Sequence, residues 1–113
     1  MLVDAKYVLE EYETDNGKNP FRVWLNTLKD IAARMAIRTR LNRVQYYGNF
    51  GDHKSLGDGV YELRVSIGPG YRVYYAMHKK TAVLLLAGGH KGGQERDLEK
   101  AKRYWSEYLS TNL

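Results

Sequence analysis

Apolar positions along this chain recur with two different periods, and the switch between them divides it into elements. Residues 5–13, Ala-Lys-Tyr-Val-Leu-Glu-Glu-Tyr-Glu, are rich in β-forming side chains and predict a first strand, closed by the turn-rich Thr14-Asp-Asn-Gly-Lys18. Asn19-Pro20 predicts a helix start: the Asn side chain can accept from the free N–H groups of a first turn, and proline at the first helical position loses no needed donor. Phe21, Trp24, Leu25 and Leu28 follow at i, i+3, i+4 and i+7, one apolar stripe of a helix. A short break near Lys29-Asp30 precedes a second helix to about Val44, on which Ala33, Ile37, Leu41 and Val44 repeat the spacing. The two helices are expected to form a hairpin.

Residues 47–59 hold four glycines and read as a loop, with room for a short strand around 54–56. From Val60 the period becomes two: Tyr61, Leu63, Val65 and Ile67 point one way, and Glu62, Arg64 and Ser66 the other. Gly68-Pro69-Gly70 is a turn, and residues 71–77 return as the next strand. With Ile67 paired to Tyr71, the side chains of Glu62, Arg64, Ser66, Arg72 and Tyr74 share one face, so two arginines converge there. Lys79-Lys80 is a second turn, and the apolar run 81–87 is expected to be a central strand covered on both faces. Gly88-Gly-His-Lys-Gly-Gly93 ends it. From Gln94 to about Leu109 runs a charged helix with Leu98, Ala101, Trp105, Tyr108 and Leu109 on one side. The order β, α, α, three or four antiparallel strands, α predicts an α+β fold, with helices on one face of a small twisted sheet and the other face concave and basic.

Composition narrows the function. At 113 residues the chain is expected to form one domain over its whole length, 1–113. No run nears the roughly 18 apolar residues that span a bilayer, and the N-terminus lacks the basic-then-apolar order of a signal peptide, so the expected location is cytoplasmic, without a membrane partner. With no cysteine, disulfides and thiolate-ligated metal sites are excluded. His53, His78 and His90 lack the spacing of paired ligands on a helix, so neither a metal nor another cofactor is expected. Gly93 is followed by Gln94 where a phosphate-binding loop needs Lys and Ser or Thr, and no GxGxxG occurs. Eighteen Lys and Arg against 13 Asp and Glu give a net charge of +5, which favours a polyanion or an acidic protein as partner. Arg34, Arg38, Arg40 and Arg43 lie off the apolar stripe of the second helix, either as a solvated face or as a surface for RNA phosphates.

Tyr61-Glu-Leu-Arg-Val65, Gly68-Pro-Gly-Tyr-Arg-Val-Tyr-Tyr75 and Leu84-Leu-Leu-Ala-Gly-Gly-His-Lys91 together resemble the RelE/ParE superfamily of toxins. Trp24-Leu-Asn-Thr-Leu-Lys-Asp30, Arg40-Leu-Asn-Arg43, Gly48-Asn-Phe-Gly-Asp52 and Gln94-Glu-Arg-Asp-Leu98 are similar to its HigB-like addiction-module killer subgroup. The resemblance implies a helical hairpin on a small antiparallel sheet. It also implies a ribosome-dependent mRNA endonuclease that a neighbouring antitoxin, in this subgroup usually a helix-turn-helix protein, neutralises. By the same resemblance Arg64 and Arg72 take the positions of basic site residues. His90 or Lys91 takes that of a histidine or arginine at the end of the last strand, and Lys54 lies in a loop that supplies a base in some members. Two departures leave the acid–base pair open: Glu62 stands where RelE carries a lysine, and Asp97 occupies the region of its C-terminal tyrosine.

Such cleavage needs a deprotonated 2′-OH, stabilisation of the phosphorane oxygens and a proton for the leaving 5′ oxygen. Arg64 and Arg72 suit the second task, being permanently charged and bidentate toward phosphate, but they equally suit a cross-strand pairing with Glu62. Proton transfer is open to His90, Lys91, Lys54 or Glu62. Alternation turns Tyr61, Tyr71 and Tyr75 toward the helices and leaves Tyr74 to stack on a base. The competing readings are a ParE-like inhibitor of DNA gyrase and a degenerate toxin that only binds its antitoxin. Exposed apolar surface around Trp105 and Tyr108 would mark a partner site.

Overall fold

The computed structural model describes residues 4–112. Strand β1 (Val8–Glu11) is followed by helices α1 (Pro20–Thr27) and α2 (Ile31–Tyr47), strands β2 (His53–Ser55), β3 (Val60–Val65), β4 (Tyr71–His78) and β5 (Ala82–His90), a short 3-10 turn over Lys91–Gly93, and helix α3 (Gln94–Thr111). The class is α+β. Both hairpin helices start on side-chain caps, Asn19 accepting from Arg22 N–H at 3.0 Å and Asp30 from Ala33 N–H at 3.2 Å. Gly48, at φ 67°, closes α2 in the left-handed conformation that a residue with a Cβ adopts only at a cost.

The five strands form one sheet in the order β1-β5-β4-β3-β2. The last four pair antiparallel, whereas β1 joins β5 in parallel, Val8 opposite Ala82 and Glu11 opposite Leu85. The first strand is shorter than the 5–13 run that composition marks, although Tyr12 just beyond it is still buried.

The far face of the sheet is not open. The α1–α2 hairpin packs on one face over Leu63, Val65, Val73, Tyr75, Val83 and Leu85. Helix α3 covers the other, with Leu98, Ala101, Tyr104, Trp105 and Tyr108 set on Val60, Tyr74, Ala76, Leu84, Leu86 and Ala87. This corrects the expectation of helices on one face only. The unbroken apolar run of β5 already demanded cover on both sides, and α3 carries an apolar stripe that has to be buried somewhere.

Two register details set up the site. Tyr71 pairs with Val65 rather than Ile67, so the connection is two residues longer than expected. A shift of two preserves the pleat, so Glu62, Arg64, Arg72 and Tyr74 keep their common face, and it sets Glu62 opposite Tyr74 and Arg64 opposite Arg72. Strand β5 does not stop at its glycines but runs through Gly88 and Gly89 to His90. A Cβ at Gly88 would lie 2.0 Å from the Trp24 ring, and one at Gly89 only 1.9 Å from Asp97 Oδ2. The two glycines admit α1 on one face and the first turn of α3 on the other.

Candidate functional site

Two cross-strand rows lie on the α3 face of the sheet. The first runs Lys54, Glu62, Tyr74, Ala87, and the second runs Arg64, Arg72, Gly89. Where the second row meets the 66–70 turn, a groove of about 380 Å³ opens, lined by Arg64, Arg72 and Lys91 together with Asp52, Ser66 and Tyr71. Three of the cations singled out in the sequence therefore share one cleft.

Each arginine in the groove is held by a carboxylate. Arg72 Nη1 donates to Glu62 Oε2 at 2.6 Å, with Arg72 12% and Glu62 1% exposed. In such a dry setting the pair is costly to break, because removing one member strands the other charge. Arg64 reaches Asp52 at 2.9 Å in a more open setting, 37% and 52% exposed. Lys91 stands exposed where this groove meets a second one, of about 550 Å³, along the first turn of α3.

The other sequence candidates fall around the groove rather than in it. His90 is exposed, and its Nδ1 accepts from Gly92 N–H at 3.1 Å, which folds the ring back over the 3-10 turn and leaves Nε2 to carry the proton of the neutral ring. Lys54 is exposed on edge strand β2, opposite Glu62. Arg38 is exposed on α2 and lines a different groove, shared with α1 and β1.

Two candidates are buried and need correction. Tyr74 is fully buried beneath α3 and cannot stack on a base, because the helix occupies the face it points to. Its hydroxyl has no hydrogen-bond partner, and burial first, then the charges of Asp97 and Glu62, push it up to about 12. Glu62 is likewise withdrawn from any bound RNA and acts as the anion that orients Arg72. Tyr71 and Tyr75 are buried in the cluster on the hairpin side, as alternation requires, and Tyr61 is packed against it.

Three further residues shape the site, none of which the sequence had placed in the groove. Arg40, one of the four off-stripe arginines of α2, is not a free surface charge: it donates to the carbonyls of Arg64, Phe50 and Asp52. Burial holds its guanidinium below the usual arginine value. It thereby ties α2 to the Asp52–Arg64 wall of the groove. Asp52 itself lines the groove, and the motif Gly48-Asn-Phe-Gly-Asp52 was the signal that pointed to it. Asp97 sits over Gly89 with its carboxyl pushed up by burial, against the smaller opposing influences of Lys100, His90 and Arg96. Among the described residues no three His, Asp or Glu side chains gather as a metal-binding group, and no helix is long and apolar enough to cross a membrane.

These features define a class: a small α+β protein with a helical hairpin and a C-terminal helix on opposite faces of a five-stranded sheet, and a basic cleft at one end of the middle strands. Residues 23–105 match the family described as "Phage derived protein Gp49-like (DUF891)", and the chain belongs to that family, which is of the RelE/HigB toxin type. It is also similar to an uncharacterized protein of Haemophilus influenzae (strain ATCC 51907 / DSM 11121 / KW20 / Rd), 46% identical over 82 residues that cover 73% of this chain and 82% of that protein.

Proposed function

We propose that this chain is the toxin of a toxin–antitoxin pair, of the HigB-like killer type, and that it acts in the cytoplasm by cleaving messenger RNA on the ribosome. The observation that carries the reading is the convergence of Arg64, Arg72 and Lys91 on one groove. Family membership supports the toxin role and the existence of an antitoxin.

In this reading the scissile phosphate lies in the groove. Arg72, its fork fixed by Glu62, faces the developing phosphorane charge at little reorganisation cost. Arg64 exchanges Asp52 for phosphate, which frees an Asp52 carboxylate to accept the 2′-OH proton. Lys91, exposed and lining the groove, is the group assigned to deliver a proton to the leaving 5′ oxygen. His90 is placed outside the groove by its bond to Gly92 and is not assigned the proton transfer.

A second reading, a toxin that only binds its antitoxin, is favoured by one observation: both groove arginines already have carboxylate partners. Expression without the adjacent antitoxin frame, followed by mapping of transcript 5′ ends, separates the two. Growth arrest with cut transcripts, lost in Arg64→Ala/Lys91→Ala, is the expected result. Arrest with intact messages and DNA-damage signalling would point to a gyrase inhibitor instead, and no arrest at all to the binding-only reading.

A further inference from the structure

A phosphate that draws Arg64 away from Asp52 also removes the ion pair that ties the Asp52 side chain to strand β3. That pair is open to solvent, 37% and 52% exposed, and contributes little to holding the loop. Two bonds to the Asp52 carbonyl remain. Arg64 N–H donates to it at 2.9 Å, and the guanidinium of Arg40 donates to the same oxygen at 3.2 Å.

Arg40 does more than add one bond. Its Nη2 also donates to Phe50 O at 2.8 Å, and its Nη1 donates to Arg64 O. A single rigid fork therefore bridges the loop that carries Asp52 and the strand that carries Arg64. These bonds go to main-chain oxygens, and among the described residues Arg40 makes no ion pair. Exchange of the Asp52 carboxylate for phosphate at Arg64 leaves all of them in place. The loop is drawn close onto the fork: Gly51 has φ 62°, and a Cβ there would lie 2.8 Å from Arg40 Nη2. Gly51 N–H donates to Asn49 Oδ1 at 2.9 Å, and Gly51 O lies 2.9 Å from His53 Nδ1, which fixes the turn on either side.

We propose that Arg40 is a positioning residue for the cleavage, holding the Asp52 backbone against strand β3 so that the carboxylate stays at the groove once Arg64 has turned to the phosphate. Its use in catalysis rests on the nuclease reading, whereas the grip on Asp52 is a property of the resting protein.

Two measurements on the full chain test this. In cleavage on programmed ribosomes, well below each melting temperature, Arg40→Lys should lower kcat roughly tenfold with KM changed less than about twofold. Gly51→Ala, which keeps Arg40 but pushes its fork from the loop, should do the same. In an Asp52→Asn background Arg40→Lys should cost less than about threefold more, because it acts through Asp52. A rise in KM at unchanged kcat, or the full loss repeated on Asp52→Asn, would overturn the proposal. The second measurement is amide hydrogen exchange without RNA. Arg64→Ala, which mimics the departed guanidinium, should leave exchange at Gly51, Asp52 and position 64 near that of the parent, and adding Arg40→Lys should speed it roughly tenfold. Release of the loop by Arg64→Ala alone would equally overturn the proposal. A parent that cuts no message overturns the nuclease reading and leaves the exchange result to decide whether Arg40 holds Asp52, so the two failures are told apart.

Discussion

Glu62 and Arg72 form the most buried ion pair of the described residues, and a double-mutant cycle across it measures how firmly the site is built. Glu62→Gln leaves a guanidinium without its anion, and Arg72→Met leaves a carboxylate without its cation, in a place where the two side chains are 1% and 12% exposed. Removing one partner of a buried pair costs about 3–5 kcal/mol. The partial exposure of Arg72 puts the expectation near the lower end, about 3 kcal/mol for either variant. For a chain of this size that corresponds to a fall in Tm of roughly 12 °C. The double variant Glu62→Gln/Arg72→Met strands no charge and should lose much less than the sum, giving a coupling of about 2 kcal/mol or more. Urea unfolding followed by circular dichroism at pH 7 reads all of this. Additive losses below about 1 kcal/mol would refute the reasoning, since that is the behaviour of an exposed pair. The cycle also bears on function, because loss of activity in an Arg72 variant alone mixes the missing cation with the stranded anion.

Gly89→Ala puts a methyl group 1.9 Å from Asp97 Oδ2 and should cost about 1–3 kcal/mol in urea unfolding, with Asp97→Ala restoring most of it. Asp97→Asn should stabilise the protein at neutral pH and not at acidic pH. The folded-state pKa of Asp97 is raised by burial, so its contribution is fully present below the ordinary carboxyl range and lost as pH rises through the folded value. Equal effects at both pH values would contradict this. Glu11 behaves oppositely: its ion pair with Arg22 holds the carboxyl below its usual range, so that stabilisation is present above the ordinary glutamate value and lost as pH falls through the lowered one. Glu11→Gln should cost only about 0.5–1 kcal/mol at pH 7, given the exposure of Arg22, and nothing at strongly acidic pH. Arg40→Lys loses the rigid fork whose two nitrogens serve three carbonyls, and faster amide hydrogen exchange at Gly51 and Asp52 with unchanged exchange in β4 and β5 is the expected signature.

Much of this architecture is legible in local chemistry. Asn19-Pro20 starts α1, and the spacing of Ala33, Ile37, Leu41 and Val44 marks the buried side of α2, because cap and stripe depend on neighbours within a few residues. The alternation from Tyr61 to Val65 places Glu62 and Arg64 on one face with Arg72, even though the pairing partner of Tyr71 is two residues away from the expected one. What stayed hidden depends on contacts distant in sequence. That α3 crosses to the other face, burying Tyr74 and Glu62, follows from Gly89 admitting Asp97, and a Gly-Gly pair reads locally as the end of a strand. Arg40 looks like any off-stripe arginine until the 50–52 segment folds over it. The parallel docking of β1 on β5 joins residues more than seventy positions apart and leaves no local mark.

The C-terminal helix also answers a question that periodicity left open. Trp105 and Tyr108 stack on each other at 5.7 Å between ring centroids and pack on the cluster around Val60 and Leu84, so this part of α3 belongs to the protein's own core. Leu109 is the residue of that stripe which stays exposed.

The central claim is tested most directly with purified protein and ribosomes programmed with a defined message, with cut ends mapped by primer extension. The account predicts cleavage that requires the ribosome and is reduced at least a hundredfold in Arg64→Ala/Lys91→Ala, a loss of about 2.7 kcal/mol in transition-state stabilisation, while that variant melts within a few degrees of the parent. Cleavage undiminished in the variant, or a message left intact by the parent protein, would contradict it.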